Sequence, residues 1–201
     1  LIIALTPLSA MPSSDPSPNP FIETLLSGDE LVIERSPVLA DQILLDLYSA
    51  NGYRPIWTRP KIEELLRLIG TAEEHGLDPA DYNVTALMTL LSRWLQDPGD
   101  EVRARAEILL GESLLRYAHH RRHGKVRARE LDPDINFRHD RFRNRSVAET
   151  MLDALASPSL AGFIDAAAPV GPYYQRLQRW LAVYRAIAAE GGWPYVAEGQ
   201  V

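Results

Sequence analysis

The sequence predicts an all-α fold, a single helical bundle-like domain of about six helices with a proline-rich N-terminal extension. Three observations predict it. Apolar residues recur at three- and four-residue intervals over most of the chain, Gly and Pro stops separate those runs, and no stretch alternates with period two for more than four residues. With 201 residues, 46% of them hydrophobic, the chain is long enough to bury a real core. No repeat of 20 to 50 residues is present, which argues against a solenoid.

Residues 1–20 read as an apolar leader followed by a linker, and 21–201 as the helical domain. Leu1-Ile2-Ile3-Ala4-Leu5 is far shorter than the roughly 20 residues that span a bilayer. It fits either the tail of an export signal, with Ser9-Ala10 near a cleavage point, or a truncated apolar leader. Pro12, Pro16, Pro18 and Pro20 then punctuate a Ser/Asn/Pro stretch that continues neither a helix nor a central strand.

Glu30 to Glu34 has the composition of a short edge strand. Leu39, Ile43, Leu44, Leu47 and Tyr48 mark a first helix stopped by Asn51-Gly52, and Tyr53-Arg54-Pro55-Ile56-Trp57 makes an aromatic-pinned connection. Ile62, Leu65, Leu66, Ile69 and Ala72 mark a second helix, with Pro60 ahead and His75-Gly76 behind; Asp78-Pro79 then turns the chain toward Tyr82. Val84, Leu87, Met88, Leu91 and Leu95 form a third helix, ended by Asp97-Pro98-Gly99. The longest periodic run, Val102 to Ala118, heads toward Gly124 with cations in its last turns, where they suit the negative end of a helix dipole.

Residues 125–146 lose periodicity and read as a long Arg/Asp-rich excursion. A shorter helix follows around Val147 to Leu155, then Pro158 and a Pro169-Val170-Gly171-Pro172 turn. The last helix carries Tyr173, Leu177, Trp180, Leu181, Tyr184 and Ile187 on one face and stops at Gly191-Gly192.

Charge and motifs narrow the chemistry. The net charge of -6 argues against a general nucleic-acid binder, but Arg116 to Arg145 holds ten Lys/Arg against four Asp/Glu, leaving the remainder at -12. Phe137 and Phe142 lie among those arginines, a pattern that can stack on single-stranded nucleic acid. The four acids in the same window favour a salt-bridged loop or an anionic partner instead. The candidate binding residues are Arg121, Arg122, Lys125, Arg127, Arg129, Arg138, Arg141 and Arg143.

His119 and His123 lie one helical turn apart, as in helical zinc sites, but the glutamate of a His-Glu-x-x-His motif is missing and His120-Arg121-Arg122 follows His119. The reading is a solvated cationic helix end, with a helical zinc site as its rival. Asp132-Pro133-Asp134 lacks the Gly and distal Glu of a calcium loop and reads as a turn. Glu63/Glu64 and Glu73/Glu74 fall opposite the apolar stripes, where charge is solvated. No cysteine is present, so thiolate nucleophiles, disulfides and Cys-based zinc sites are excluded. The phosphate-binding glycine motifs and the serine elbow are absent too. The sequence predicts no catalytic residue, no metal site and no cofactor for this chain.

Several segments, in order, resemble one known module. They are Leu47-Tyr48-Ser49-Ala50-Asn51-Gly52-Tyr53-Arg54-Pro55-Ile56-Trp57-Thr58, Ala72-Glu73-Glu74-His75-Gly76-Leu77-Asp78-Pro79-Ala80-Asp81-Tyr82, Leu114-Leu115-Arg116-Tyr117-Ala118, His123-Gly124-Lys125-Val126, Leu131-Asp132-Pro133-Asp134, Tyr174-Gln175-Arg176-Leu177, Tyr184-Arg185-Ala186-Ile187-Ala188 and Gly191-Gly192-Trp193-Pro194. Over roughly residues 35–199 the chain resembles the N-terminal helical scaffold domain of the large multi-domain bacterial L,D-transpeptidases, enzymes that cross-link peptidoglycan.

The resemblance implies a non-catalytic, positioning role in cell-wall biogenesis and a periplasmic or cell-envelope location. It implies as partners a peptidoglycan-binding module and a catalytic domain downstream in the same polypeptide, and possible contact with peptidoglycan itself. The family's nucleophile is a cysteine after a Ser/Thr-His-Gly motif in that catalytic domain, so no reaction carries over to a residue here. After Asp134 the chain departs from the pattern, as Ile135-Asn136-Phe137-Arg138-His139 runs into a more basic stretch. The alternative reading is a stand-alone helical module that binds an anionic envelope polymer or protein through the basic 116–145 segment.

Overall fold

The computed structural model describes residues 17–28, 31–126, 147–169 and 171–193. Among them the fold is all-α: eight α-helices, two short 3-10 turns and one two-stranded hairpin. The helices are α1 (Pro20–Leu26), α2 (Asp41–Ala50), α3 (Arg59–Gly70), α4 (Val84–Gln96), α5 (Asp100–His123), α6 (Val147–Ala156), α7 (Leu160–Ala167) and α8 (Pro172–Ala189). The 3-10 turns, Ala72–His75 and Pro79–Tyr82, link α3 to α4. No described helix is long and apolar enough to cross a membrane.

The count exceeds the six or so helices expected because α1 and α7 are too short to show periodicity. Their signal lies in their caps. Asn19 accepts a hydrogen bond from the Phe21 amide with Pro20 at the first helical position, and the Ser159 hydroxyl accepts from the Gly162 amide. Asn19 is also buried, donating to the Asp100 carbonyl at 2.8 Å, so the packed fold begins inside the stretch read as linker. The leader and residues 11–16 lie outside the described residues.

The expected edge strand is one half of a hairpin, in which β1 (Val32–Ile33) pairs antiparallel with β2 (Ser36–Pro37). Glu34 and Arg35 both take left-handed backbone angles, φ 48 and 65°, as a tight two-residue turn demands. Glu30 lies outside the described residues.

Helix α5 is the axis of the molecule. Every residue from Ala106 to Leu114 is buried, so this helix has no solvent face through its middle, and α1, α2, α3, α4 and α7 pack around it. Its Gly111 admits α2 closely: a Cβ there would sit 2.6 Å from Leu44 Cδ2 and 3.3 Å from Met151 Cε of α6. Helix α6 covers α2, and α7 rests on both α3 and α5.

Helix α8 is different. Its period predicts a helix correctly, but none of its residues is buried, and it packs chiefly on the Ala72–His75 turn. Most of the apolar face read from the sequence is outward: Tyr173 is 78% exposed, Leu177 67%, Trp180 52% and Tyr184 55%. Of the predicted apolar face, Leu181 and Ile187 alone are partly covered.

Candidate functional site

Three glutamates inside or at the edge of the fold hold its corners. Glu107 of α5 is 1% exposed; its carboxylate accepts from the Tyr48 hydroxyl at 2.9 Å, the Ile56 amide at 2.8 Å and the Trp57 amide at 3.3 Å. It therefore pins the aromatic-Pro-Trp connection between α2 and α3. Burial pushes the Glu107 carboxyl up to about 7 against the opposing pull of the Ile56 amide, the Tyr48 hydroxyl and Arg103. Burial, then the Glu107 carboxylate, raises the Tyr48 hydroxyl well above its ordinary value.

Two other acids act as helix caps supplied from a distance. Glu112 accepts from the Leu39 and Ala40 amides at 3.1 and 2.9 Å, where α2 has no side-chain cap of its own, and it also contacts Arg116. Glu64 does the same for α7, accepting from the Ser159 hydroxyl at 2.8 Å and the Ala161 amide at 3.2 Å, with Lys61 at 3.3 Å. Partial burial raises the Glu64 carboxyl, but the Leu160 amide, Ser159, the Ala161 amide and Lys61 outweigh it and hold it at about 2. Glu64 is thus a partly buried cap and not the solvated charge expected from its helix face. Glu63 does lie outward, paired with Arg59 at 2.8 Å.

The basic candidates scatter. Arg121 turns inward, 7% exposed, and bonds Asp165 of α7 at 2.8 Å and the Tyr117 hydroxyl at 3.3 Å. Lys125 pairs with Asp81 at 2.6 Å, and Arg116 donates to the Asp81 and Pro37 carbonyls. Arg122 sits in the last turn of α5. Arg127, Arg129, Arg138, Arg141 and Arg143 lie outside the described residues, as does the Asp132-Pro133-Asp134 turn. His120 faces the Tyr82 hydroxyl at 3.1 Å, and the His119 and His123 rings lie 4.9 Å apart. Among the described residues no three His, Cys, Asp or Glu side chains gather as a metal set.

Among the described residues an open cleft lies where α8 meets the Ala72–His75 turn. Gly76, at φ 76°, ends that turn in the left-handed conformation, and Leu181 Cδ2 would lie 3.7 Å from any Cβ there. Tyr174 and Gln178, one helical turn apart on α8, both reach His75 Nδ1 at 2.9 Å. The Gln178 amide nitrogen is a donor and the Tyr174 hydroxyl both donates and accepts, so the two side chains compete for the same ring nitrogen. Burial, then the Arg121 charge, lowers the His75 pKa, opposed by Asp165 and Glu74.

Gln178 also donates to the Glu74 carbonyl at 3.3 Å, and Arg185 donates to the Glu73 carbonyl. Beside this seam lies a cleft of about 680 Å³ lined by Glu73, Glu74, Gln175, Gln178, Arg179, Leu181, Ala182 and Arg185. The exposed aromatics run along the neighbouring stripe of the helix. Trp180 and Tyr184 rings are 6.1 Å apart, and Trp193 meets Tyr184 edge-on at 6.3 Å.

A family model described as Scaffold domain matches residues 42–181, well over half of the chain. The chain belongs to the Scaffold domain family. No curated protein and no solved structure matches it. The Scaffold domain match opens at the start of α2 and closes within α8, so the Glu107-pinned corner, the Glu64 cap and the His75–Tyr174–Gln178 contacts fall inside it, and Glu112 caps α2 just ahead of its first matched residue. Sequence reasoning found the corners of this Scaffold domain but missed Glu107 and Glu112, and it read Glu64 as solvated. The usable signal was a Glu on the apolar side of a helix, which marks a buried carboxylate in need of donors.

Proposed function

We propose that this chain is the non-catalytic scaffold domain of an L,D-transpeptidase-type protein of the periplasm or cell envelope, which positions a catalytic domain for peptidoglycan cross-linking. One observation carries the reading beyond the family's designation. The segments that resemble the transpeptidase scaffold are the corners the core holds rigid: Asn51 to Trp57 is clamped by Glu107, and Ala72 to Tyr82 forms the two 3-10 turns, the first of which carries α8. A carboxylate saturated by two backbone amides and a tyrosine hydroxyl serves geometry and is not free to move a substrate proton.

The reading frame beyond Val201 tests this. It should encode a domain with a Ser/Thr-His-Gly-x-Cys-like motif, and the whole polypeptide should cross-link disaccharide-tetrapeptide substrates in a cysteine-dependent way, whereas residues 1–201 alone should form no product. Cross-linking by residues 1–201 would overturn the reading. A reading frame without such a domain would remove the transpeptidase assignment and leave the family membership standing.

A further inference from the structure

The amphipathicity of α8 is inverted. The stripe turned toward the domain is mixed and largely polar, with Tyr174, Gln178 and Arg185 bonded to the Ala72–His75 turn and Leu181 beside Gly76. The adjacent stripe, Tyr173, Leu177, Trp180 and Tyr184 at i, i+4, i+7 and i+11, faces solvent. A surface helix of a domain complete in itself has the opposite arrangement. A contiguous row of exposed aromatic and aliphatic side chains is the composition of a buried interface centre.

Charge and position select the occupant. From Pro172 to Ala189 the helix carries Arg176, Arg179 and Arg185 and no acid, within a chain of net charge -6. Pairing two copies through this stripe would bring two such arginine sets together, so self-association is disfavoured and a face that offers carboxylates around an apolar centre is favoured. Beyond the helix the chain passes through Gly191 and Gly192, both at positive φ, to Trp193, whose ring already lies on Tyr184. Whatever follows Trp193 therefore starts at the stripe, and linkage in one polypeptide raises the effective concentration of a following domain there. A weak face suffices under those conditions.

We propose that the Tyr173–Leu177–Trp180–Tyr184 stripe is the surface on which the following domain of the same polypeptide docks, through an apolar patch rimmed by acids. The proposal rests on the function proposed above. The His75–Tyr174–Gln178 seam fixes the direction of the stripe relative to the core, and docking there transmits that direction to the partner.

Hydrogen exchange on the full-length polypeptide, compared with residues 1–201, tests it. The α8 amides should exchange at least ten-fold more slowly in the full-length protein. Leu177→Glu with Trp180→Glu should return them to the rates of residues 1–201 while α5 amides stay fully protected, which separates lost docking from lost folding. Equal α8 rates in the two proteins, or protection that survives the double substitution, overturn the proposal and leave the function untouched. So does a concentration-dependent dimer of residues 1–201 abolished by the same substitutions, or their co-sedimentation with vesicles containing phosphatidylglycerol, since either outcome gives the stripe another occupant. A reading frame with no following domain removes both the function and the partner.

Discussion

Glu107 and Glu64 are both carboxylates tied to backbone amides, yet they bend the stability of the domain in opposite directions. For Glu107 the folded value stands near 7 against an ordinary 4.5. Below pH 4.5 it is protonated folded or unfolded. Between 4.5 and 7 the folded state keeps a proton the unfolded chain has released, so stability falls as pH rises through that window, by about 3 kcal/mol in all. Glu107→Gln keeps an acceptor oxygen for the Ile56 and Trp57 amides and should flatten this limb in urea unfolding at pH 4, 5.5 and 7.5. Glu107→Ala leaves those amides unmet and should cost about 3 kcal/mol or more at pH 5. Glu64, lowered from 4.5 to about 2, contributes stability that is present above pH 4.5 and is lost as pH falls toward 2. Glu64→Gln should remove that acid limb and leave the neutral one. An unchanged acid limb in Glu64→Gln would mean that the cap on α7 contributes nothing.

At the level of elements, the closest helix approach depends on Gly111. Alanine there gains about 1 kcal/mol of helix propensity, but its Cβ meets the fully buried Leu44 at 2.6 Å. Overpacking of this kind costs about 1–3 kcal/mol, so Gly111→Ala should be destabilising by about 1 kcal/mol net. Leu44→Val shortens the obstructing side chain, and the double variant should recover most of the loss in a double-mutant cycle. Additive costs would show that α2 and α5 do not meet as described. Helices α2 to α6 were legible because each repeats apolar residues at helical spacing over nearly three turns or more. Helices α1 and α7, at seven and eight residues, are defined by a cap and a tertiary contact, and periodicity has too few turns to register them. The period of α8 was legible, but which stripe would meet the domain was not. Periodicity locates an apolar face; what covers it is a matter of tertiary structure. Arg121 makes the same point for charge, since its place among cations suggested a surface patch and Asp165, 44 residues away in sequence, draws it inward.

Taken whole, the molecule has a core centred on α5 and an appendage, α8, that the core does not need. Each of α1 to α4, α6 and α7 contributes fully or nearly buried side chains, including Ile22, Leu44, Leu65, Leu87, Met151 and Ile164, whereas α8 contributes none. Its attachment consists chiefly of hydrogen bonds from Tyr174, Gln178 and Arg185, beside the Leu181 contact at Gly76, at a partly solvated seam where exchange with water leaves each bond worth about 0.5 kcal/mol. Ending the chain at Gly171 should therefore lower Tm by no more than about 5 °C, given roughly 2–4 °C per kcal/mol for a domain of this size, and the transition should stay cooperative. Ile164→Ala, which removes three buried carbons from the α7 contact with α5, should cost about 2–4 kcal/mol and lower Tm further than loss of all of α8. Calorimetry on the two variants ranks them directly. A truncated protein that melts more than 10 °C lower, or without cooperativity, would show that α8 belongs to the core and that its outward stripe is not available to a partner.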